Sequence, residues 1–114
     1  ARLAVLALMS IIASRPKLLL IEEPETKMHP GGLRAFLEAV LRGAKGVGAQ
    51  VIATTHSIEM LRISLELSKK LELNPSIIHL ERDNEGIVRA RRLSMPDAEL
   101  LMDLGVDPRF LDLF

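Results

Sequence analysis

Two adjacent carboxylates that follow an apolar run are the residues best placed for chemistry. Residues 18–25 read Leu-Leu-Leu-Ile-Glu-Glu-Pro-Glu. Four consecutive apolar residues are typical of a strand buried on both faces of a sheet, and Pro24 ends such a strand. Because burying a carboxylate is costly unless a cation or a donor compensates it, Glu22 and Glu23 favour a bound metal ion or an activated water. The alternative is a strand end followed by a solvated turn.

A second polar cluster follows another predicted strand. Residues 50–57 read Gln-Val-Ile-Ala-Thr-Thr-His-Ser, an apolar run that ends in polar residues around His56. In open α/β sheets, ligands bind at the carboxyl ends of the strands. We therefore expect Glu22, Glu23 and His56 to lie at the same edge of the sheet.

Three ordered motifs resemble those of ABC-type ATPase heads. Residues 18–25 are similar to the Walker B strand of these heads. Residues 28–30, Met-His-Pro, are similar to the D-loop region of the OLD and RecF-like branch, and residues 54–57, Thr-Thr-His-Ser, are similar to the switch-histidine loop. The order of the motifs and the distance along the chain between Glu23 and His56 also match.

The resemblance implies a fold class and a place within a larger domain. It covers essentially the whole chain, because residues 1–14 are similar to the helix that follows the ABC signature motif. We expect residues 1–114 to form the C-terminal part of one ABC-type ATPase domain, which SMC-like ATPases split between distant segments. The fold class is then α/β, a partial P-loop NTPase (RecA/ABC-like) sheet with parallel strands, flanking helices and a C-terminal β-hairpin. Glu22 and His29 depart from the family, since Asp is usual at both positions.

ATP and Mg²⁺ are the cofactors that the resemblance implies for the intact protein. Glu22 would hold the magnesium ion, Glu23 would polarise the attacking water, and His56 would contact the γ-phosphate. His29 would lie at the interface with a second head, and Glu25 has no assigned role. The implied function is ATP binding and hydrolysis within a larger ABC-type ATPase, with a link to nucleic-acid maintenance or defence left open.

Each of these residues also has a plain structural interpretation. Glu22 and Glu23 could be solvated acids at the end of a strand. His56 could be an ordinary loop histidine, and His29 could cap the helix that begins at Pro30. For the chain as a whole, the main alternative function is a non-catalytic α/β interaction module that has lost its nucleotide site.

A metal-dependent hydrolase is a third hypothesis. Its ligands would be four neighbouring side chains, Glu22, Glu23, Glu25 and His29. The spacing of the last two suits one helical turn, but the prolines at positions 24 and 30 argue against a continuous helix that would hold them. This hypothesis is therefore the weakest of the three.

Two motifs of an ATP site are absent from the 114 residues. There is no glycine-rich loop ending in Lys-Ser/Thr, the Walker A loop that supplies most phosphate contacts, and no Leu-Ser-Gly-Gly signature. We expect the isolated chain to be inactive as an ATPase, the missing N-terminal half to be its partner, and intact heads to pair head to head. Residues 43–48 are glycine-rich, but they are predicted to be a flexible link that enters a strand. Because Ala rather than Met is the first residue, we expect the natural start to lie upstream.

Composition excludes several other classes of protein. The formal net charge is zero and the chain has no Trp or Tyr, so neither a basic field nor an aromatic platform supports nucleic-acid binding. There is no cysteine, which rules out a disulfide framework and a thiolate metal site and agrees with a cytoplasmic location. The apolar stretch at residues 3–13 is too short to span a bilayer, so we expect no membrane contact.

Periodicity and turn residues predict the order of the elements. Helices are expected at residues 3–14, 30–42, 58–71 and 97–104, and strands at residues 17–22, 50–55, 76–82 and 87–93, with a hairpin turn at residues 83–86. In the heads that the chain resembles, the Walker A strand lies beside the strand that ends near His56. Its absence would leave an unpaired apolar edge that invites association, unless the strand at residues 76–82 pairs there instead.

Overall fold

A computed structural model describes residues 2–94. The elements in chain order are α1 (Arg2–Ser14), β1 (Leu18–Glu22), a 3₁₀ turn (Pro24–Lys27), α2 (Pro30–Val47), β2 (Gln50–Thr54), α3 (Ile58–Lys70), β3 (Ile77–Arg82) and β4 (Val88–Leu93). They belong to two compact units, Ala1–Leu73 and Asn74–Phe114. The helix predicted at residues 97–104 lies outside the described residues. No helix within residues 2–94 is long and apolar enough to cross a membrane.

The sheet of the first unit consists of two parallel strands. β1 pairs with β2 in a register that runs from Leu18 opposite Gln50 to Glu22 opposite Thr54. The prediction of parallel strands is therefore confirmed, and both strands end at the same edge.

Burial on both faces of this sheet, which the apolar runs predict, is wrong for this unit. Leu20 and Ile52 are opposite each other and are 71% and 54% exposed. The alternate residues Leu19, Ile21 and Val51 are half-buried. Within residues 2–94, only one face of the sheet is covered, so the apolar character of the other face has no explanation inside this unit.

The core of the first unit lies between α2 and α3. It is a cluster of buried side chains from these two helices, Leu33, Leu37, Met60, Ile63 and Leu67. The apolar face predicted for α2 is confirmed, with Phe36 and Leu41 packed against the cluster. As predicted, Ser57 caps α3, because its hydroxyl accepts a hydrogen bond from the N–H of Met60 at 3.3 Å.

Ion pairs join the same two helices at their exposed sides. Arg34 pairs with Glu66 and Lys70 pairs with Glu38, each at 2.7 Å. Hydrogen bonds from Lys70 and Arg42 lower the pKa of the Glu38 carboxyl. These pairs orient α3 on α2, although exposed ion pairs contribute little to stability.

The flexible link predicted at residues 43–48 is wrong, because α2 continues to Val47. Gly48 then ends the helix in the left-handed region with φ of 74°. Gly43 is buried against α1, where an added Cβ would lie 3.1 Å from a methyl of Leu8 and 3.2 Å from one of Ile11. The close approach of two helices therefore outweighs the helix penalty of glycine, about 1 kcal/mol per residue.

The second unit contains the predicted hairpin. β3 and β4 are antiparallel, from Ile77 opposite Leu93 to Arg82 opposite Val88. At the turn, the Asp83 carboxylate accepts hydrogen bonds from the backbone N–H groups that follow it. Since β3 pairs with β4 in a sheet of its own, the alternative in which it closes the edge of β2 is not the observed topology.

The contact of Gly43 with α1 makes a testable prediction. Gly43→Leu should lower the free energy of unfolding by about 1–3 kcal/mol, the usual cost of overpacking. The control Gly46→Leu lies on the same helix, and an added Cβ there has no atom within 4 Å. It should be neutral or stabilising, because Leu favours helices more than Gly does. Urea denaturation of the purified chain measures both, and equal effects would contradict the helix contact.

Candidate functional site

The parallel register brings two strand ends together. Glu22 is the last residue of β1 and lies opposite Thr54, the last residue of β2. The pairing then continues one residue further, because the N–H of Glu23 donates to the Thr54 carbonyl at 3.0 Å and to the Thr54 hydroxyl at 3.2 Å. The segments that follow the two strands therefore start side by side.

Glu23 and His56 meet at this edge, although they are far apart along the chain. Nε2 of the imidazole lies 3.0 Å from Oε1 of the carboxylate. The His56 side chain is 74% exposed and that of Glu23 is 34% exposed. An exposed pair of this kind adds little to stability. The contact does orient the Glu23 carboxylate, and a carboxylate can accept a proton from water.

The backbone of Glu23 is in the left-handed region, with φ of 41° and ψ of 58°. This conformation is unfavourable for a residue with a Cβ and costs roughly 1–2 kcal/mol. The hydrogen bonds to Thr54 hold it from one side, and Thr26 holds it from the other by donating its N–H and its hydroxyl to the Glu23 carbonyl. Strain that is over-determined in this way is typical of functional sites.

Glu25 lies in the 3₁₀ turn and binds the loop after β2. Its Oε1 accepts a hydrogen bond from the Thr55 hydroxyl at 2.7 Å and another from the N–H of His56 at 3.2 Å. Its Oε2 is buried and has no hydrogen-bond partner among the described residues. Sequence reasoning assigned this residue no role. No local signal in the sequence could have found it, because its partners Thr55 and His56 lie on a distant segment of the chain.

His29 is the N-cap of α2. Its Nδ1 accepts a hydrogen bond from the N–H of Gly32 at 3.3 Å, so the capping interpretation describes what the residue does within this chain. The position of His29 at an interface between two heads stays a prediction.

The exposed carboxylate of Glu22 suits one kind of metal site. Mg²⁺ is usually held by one or two carboxylates together with waters and phosphate oxygens, and a single carboxylate at an open strand end fits that pattern. A site built from protein ligands alone does not fit. Within the described part of the chain, no three His, Cys, Asp or Glu side chains are grouped so that they could hold a metal ion. The hydrolase hypothesis with four protein ligands is therefore wrong for residues 2–94.

Comparison with known proteins relates the chain to ATP-binding proteins. Residues 2–62, more than half of the chain, match the family model described as "AAA domain, putative AbiEii toxin, Type IV TA system". An uncharacterized protein of Methanocaldococcus jannaschii is 30% identical over 91 residues, which are 80% of each chain. A "Putative ABC transporter ATP-binding protein" of Methanosarcina acetivorans is 33% identical over 115 residues, covering 93% of this chain and 19% of the relative.

Another relative is a "Putative ABC transporter ATP-binding protein" of Pyrococcus horikoshii. It is 34% identical over 68 residues, which are 60% of this chain and 25% of the relative. The chain thus spans a quarter or less of the length of these two ATP-binding relatives, whereas it spans most of the Methanocaldococcus protein.

The strained backbone of Glu23 yields a second prediction. Glu23→Gly should be more stable than Glu23→Ala by about 1 kcal/mol, because only glycine adopts the left-handed region without a Cβ clash. The same pair of changes at the exposed Lys27, which has no positive φ, should show the opposite order, since Ala is then the better residue. Chemical denaturation of the four variants measures the difference. The same order of stability of the Gly and Ala variants at both positions would contradict backbone strain at Glu23.

Proposed function

Because this chain belongs to the AAA-domain family that its first half matches, we propose that it supplies the Walker B and switch-histidine part of an ATP-hydrolysis site. The observation that carries the proposal is the contact of Glu23 with His56 at the carboxyl edge of the parallel sheet. Ligands of open α/β sheets bind at this edge. The names of the longer relatives support ATP as the ligand.

The proposed mechanism relies on positioning and charge. Phosphoryl transfer leaves little covalent chemistry for a protein, so the orientation of the attacking water matters most. Glu23 is the proposed group that polarises this water. His56, whose Nε2 contacts that carboxylate, is the proposed contact for the γ-phosphate. When bound, Mg²⁺ would offset the negative charge of the phosphates. Glu22 is the residue proposed to hold it.

The remaining parts of the site would come from elsewhere. No Walker A loop and no signature motif occur in the 114 residues, so the described edge lacks a cradle for the phosphates. We propose that another half of the domain provides that cradle and that two complete heads pair through the region of His29. Neutral net charge gives no support for a nucleic-acid partner. The rival hypothesis is a non-catalytic interaction module with the same fold.

Replacing each of the two carboxylates by glutamine in the full-length protein tests their assigned roles. Glu23→Gln should preserve ATP binding and reduce turnover by about a hundredfold or more, the scale of losing a general base. Glu22→Gln should instead weaken Mg²⁺-dependent binding. Steady-state ATPase assays and nucleotide titrations measure both. A Glu23→Gln variant that loses binding while Glu22→Gln spares it would reverse the roles, and a wild-type protein without turnover would favour the non-catalytic module.

The uncovered sheet face predicts how the isolated chain behaves. Leu20 and Ile52 expose apolar surface, and an edge strand without a partner invites association, so we expect the purified chain to self-associate. Ile52→Lys should reduce the mass measured by light scattering. Gln50→Lys adds the same charge to an exposed residue on the same face without removing apolar surface, and it should have less effect. A wild-type chain that stays monomeric would contradict this expectation and would leave the nucleotide site unaffected.

A further inference from the structure

We propose that Glu25 is the residue that positions the switch-histidine loop, by holding the backbone of His56 while Glu23 holds its imidazole. Glu23 and Glu25 together are called the His56 clamp. This inference rests on the proposed function for its catalytic meaning, but the clamp itself is a property of the described residues. Its parts are the contacts of the two carboxylates with one histidine.

The hydrogen bonds of Glu25 fix a run of consecutive loop residues. The single hydroxyl proton of Thr55 is donated to Glu25, which leaves the hydroxyl oxygen free to accept. The N–H of Ser57 donates to that oxygen at 2.9 Å. Ser57 in turn caps α3. Glu25 therefore orients the Thr55 hydroxyl, and through it the loop is connected to the first turn of α3.

The 3₁₀ turn connects the two residues of the clamp through a short, stiff backbone. Glu23 and Glu25 lie on either side of Pro24, which is buried and whose ring fixes φ. The distance between the two carboxylates is thus limited by a stiff backbone. The turn thus carries both carboxylates that contact His56, one at its imidazole and one at its backbone.

The role requires a hydrogen-bond acceptor and not a charge. Both donors approach Oε1, and the other oxygen has no partner within the described residues. Glutamine also offers one side-chain oxygen as an acceptor. Glu25→Gln should therefore preserve the loop and Glu25→Ala should release it. A metal ligand or a proton acceptor at this position would lose its function in both variants.

Amide exchange of the nucleotide-free chain tests the clamp without relying on activity. Glu25→Ala should increase the exchange rate of the His56 amide roughly tenfold, the loss of one hydrogen bond. In Glu25→Gln, the His56 amide should exchange at a rate close to that of the wild type. Thr55→Val removes the hydroxyl and keeps the shape of the side chain, so the exchange rate of the His56 amide should lie between those of the wild type and Glu25→Ala. This variant replaces Glu25→Ala in the test if Glu25→Ala does not fold. Glu59→Ala, at the exposed start of α3, is the charge-matched control.

Turnover of the full-length protein provides the second readout. Glu25→Ala should lower kcat and leave KM for ATP unchanged, and Glu25→Gln should rescue kcat. Unchanged His56 exchange in Glu25→Ala, or a Glu25→Gln variant as defective as Glu25→Ala, would overturn the clamp. Absence of turnover in the wild type would overturn the proposed function alone, because the exchange result does not depend on ATP hydrolysis.

Discussion

The parallel pairing of β1 with β2 is the constraint on which the candidate site depends. Glu22 lies opposite Thr54 in that register, and the N–H of Glu23 extends the same ladder. A shift of one residue would turn every side chain to the other face and would separate Glu23 from His56. The site is thus a consequence of backbone hydrogen bonds between strands that α2 connects.

α2 connects the two paired strands and is fixed at both of its ends. Its start is fixed where His29 caps it, and its end is fixed where Gly43 approaches α1 and Gly48 reverses the chain. Between these points it packs against α3, which begins directly after the switch loop. The helix therefore links the two loops that carry Glu23 and His56, while the site itself remains exposed at the strand ends.

Two features of the first unit suit a part of a larger domain. Apolar residues cover one face of the sheet without any described element packing on them, as the exposure of Leu20 and Ile52 shows. Glu23 is held in a strained conformation at an open edge by its hydrogen bonds with Thr54 and Thr26. Both features have a physical reason if, as proposed, further chain and a nucleotide complete the site.

The motifs of the sequence determined the family and most of the elements, because short polar clusters after apolar runs and the spacing of apolar residues are local properties. The resemblance to ABC-type ATPases is confirmed by the match to the AAA-domain model and by the ATP-binding relatives. The sequence also offered the capping role of His29, because that contact is local and joins it to Gly32, three residues along the chain. Only the tertiary structure decided that α2 continues past Gly43 and that Glu25 contacts the switch loop. Each of these depends on distances between segments far apart in the chain: a close approach of helices at Gly43, and a register that sets Glu25 against His56. Such distances arise from packing and strand pairing, which no local pattern encodes.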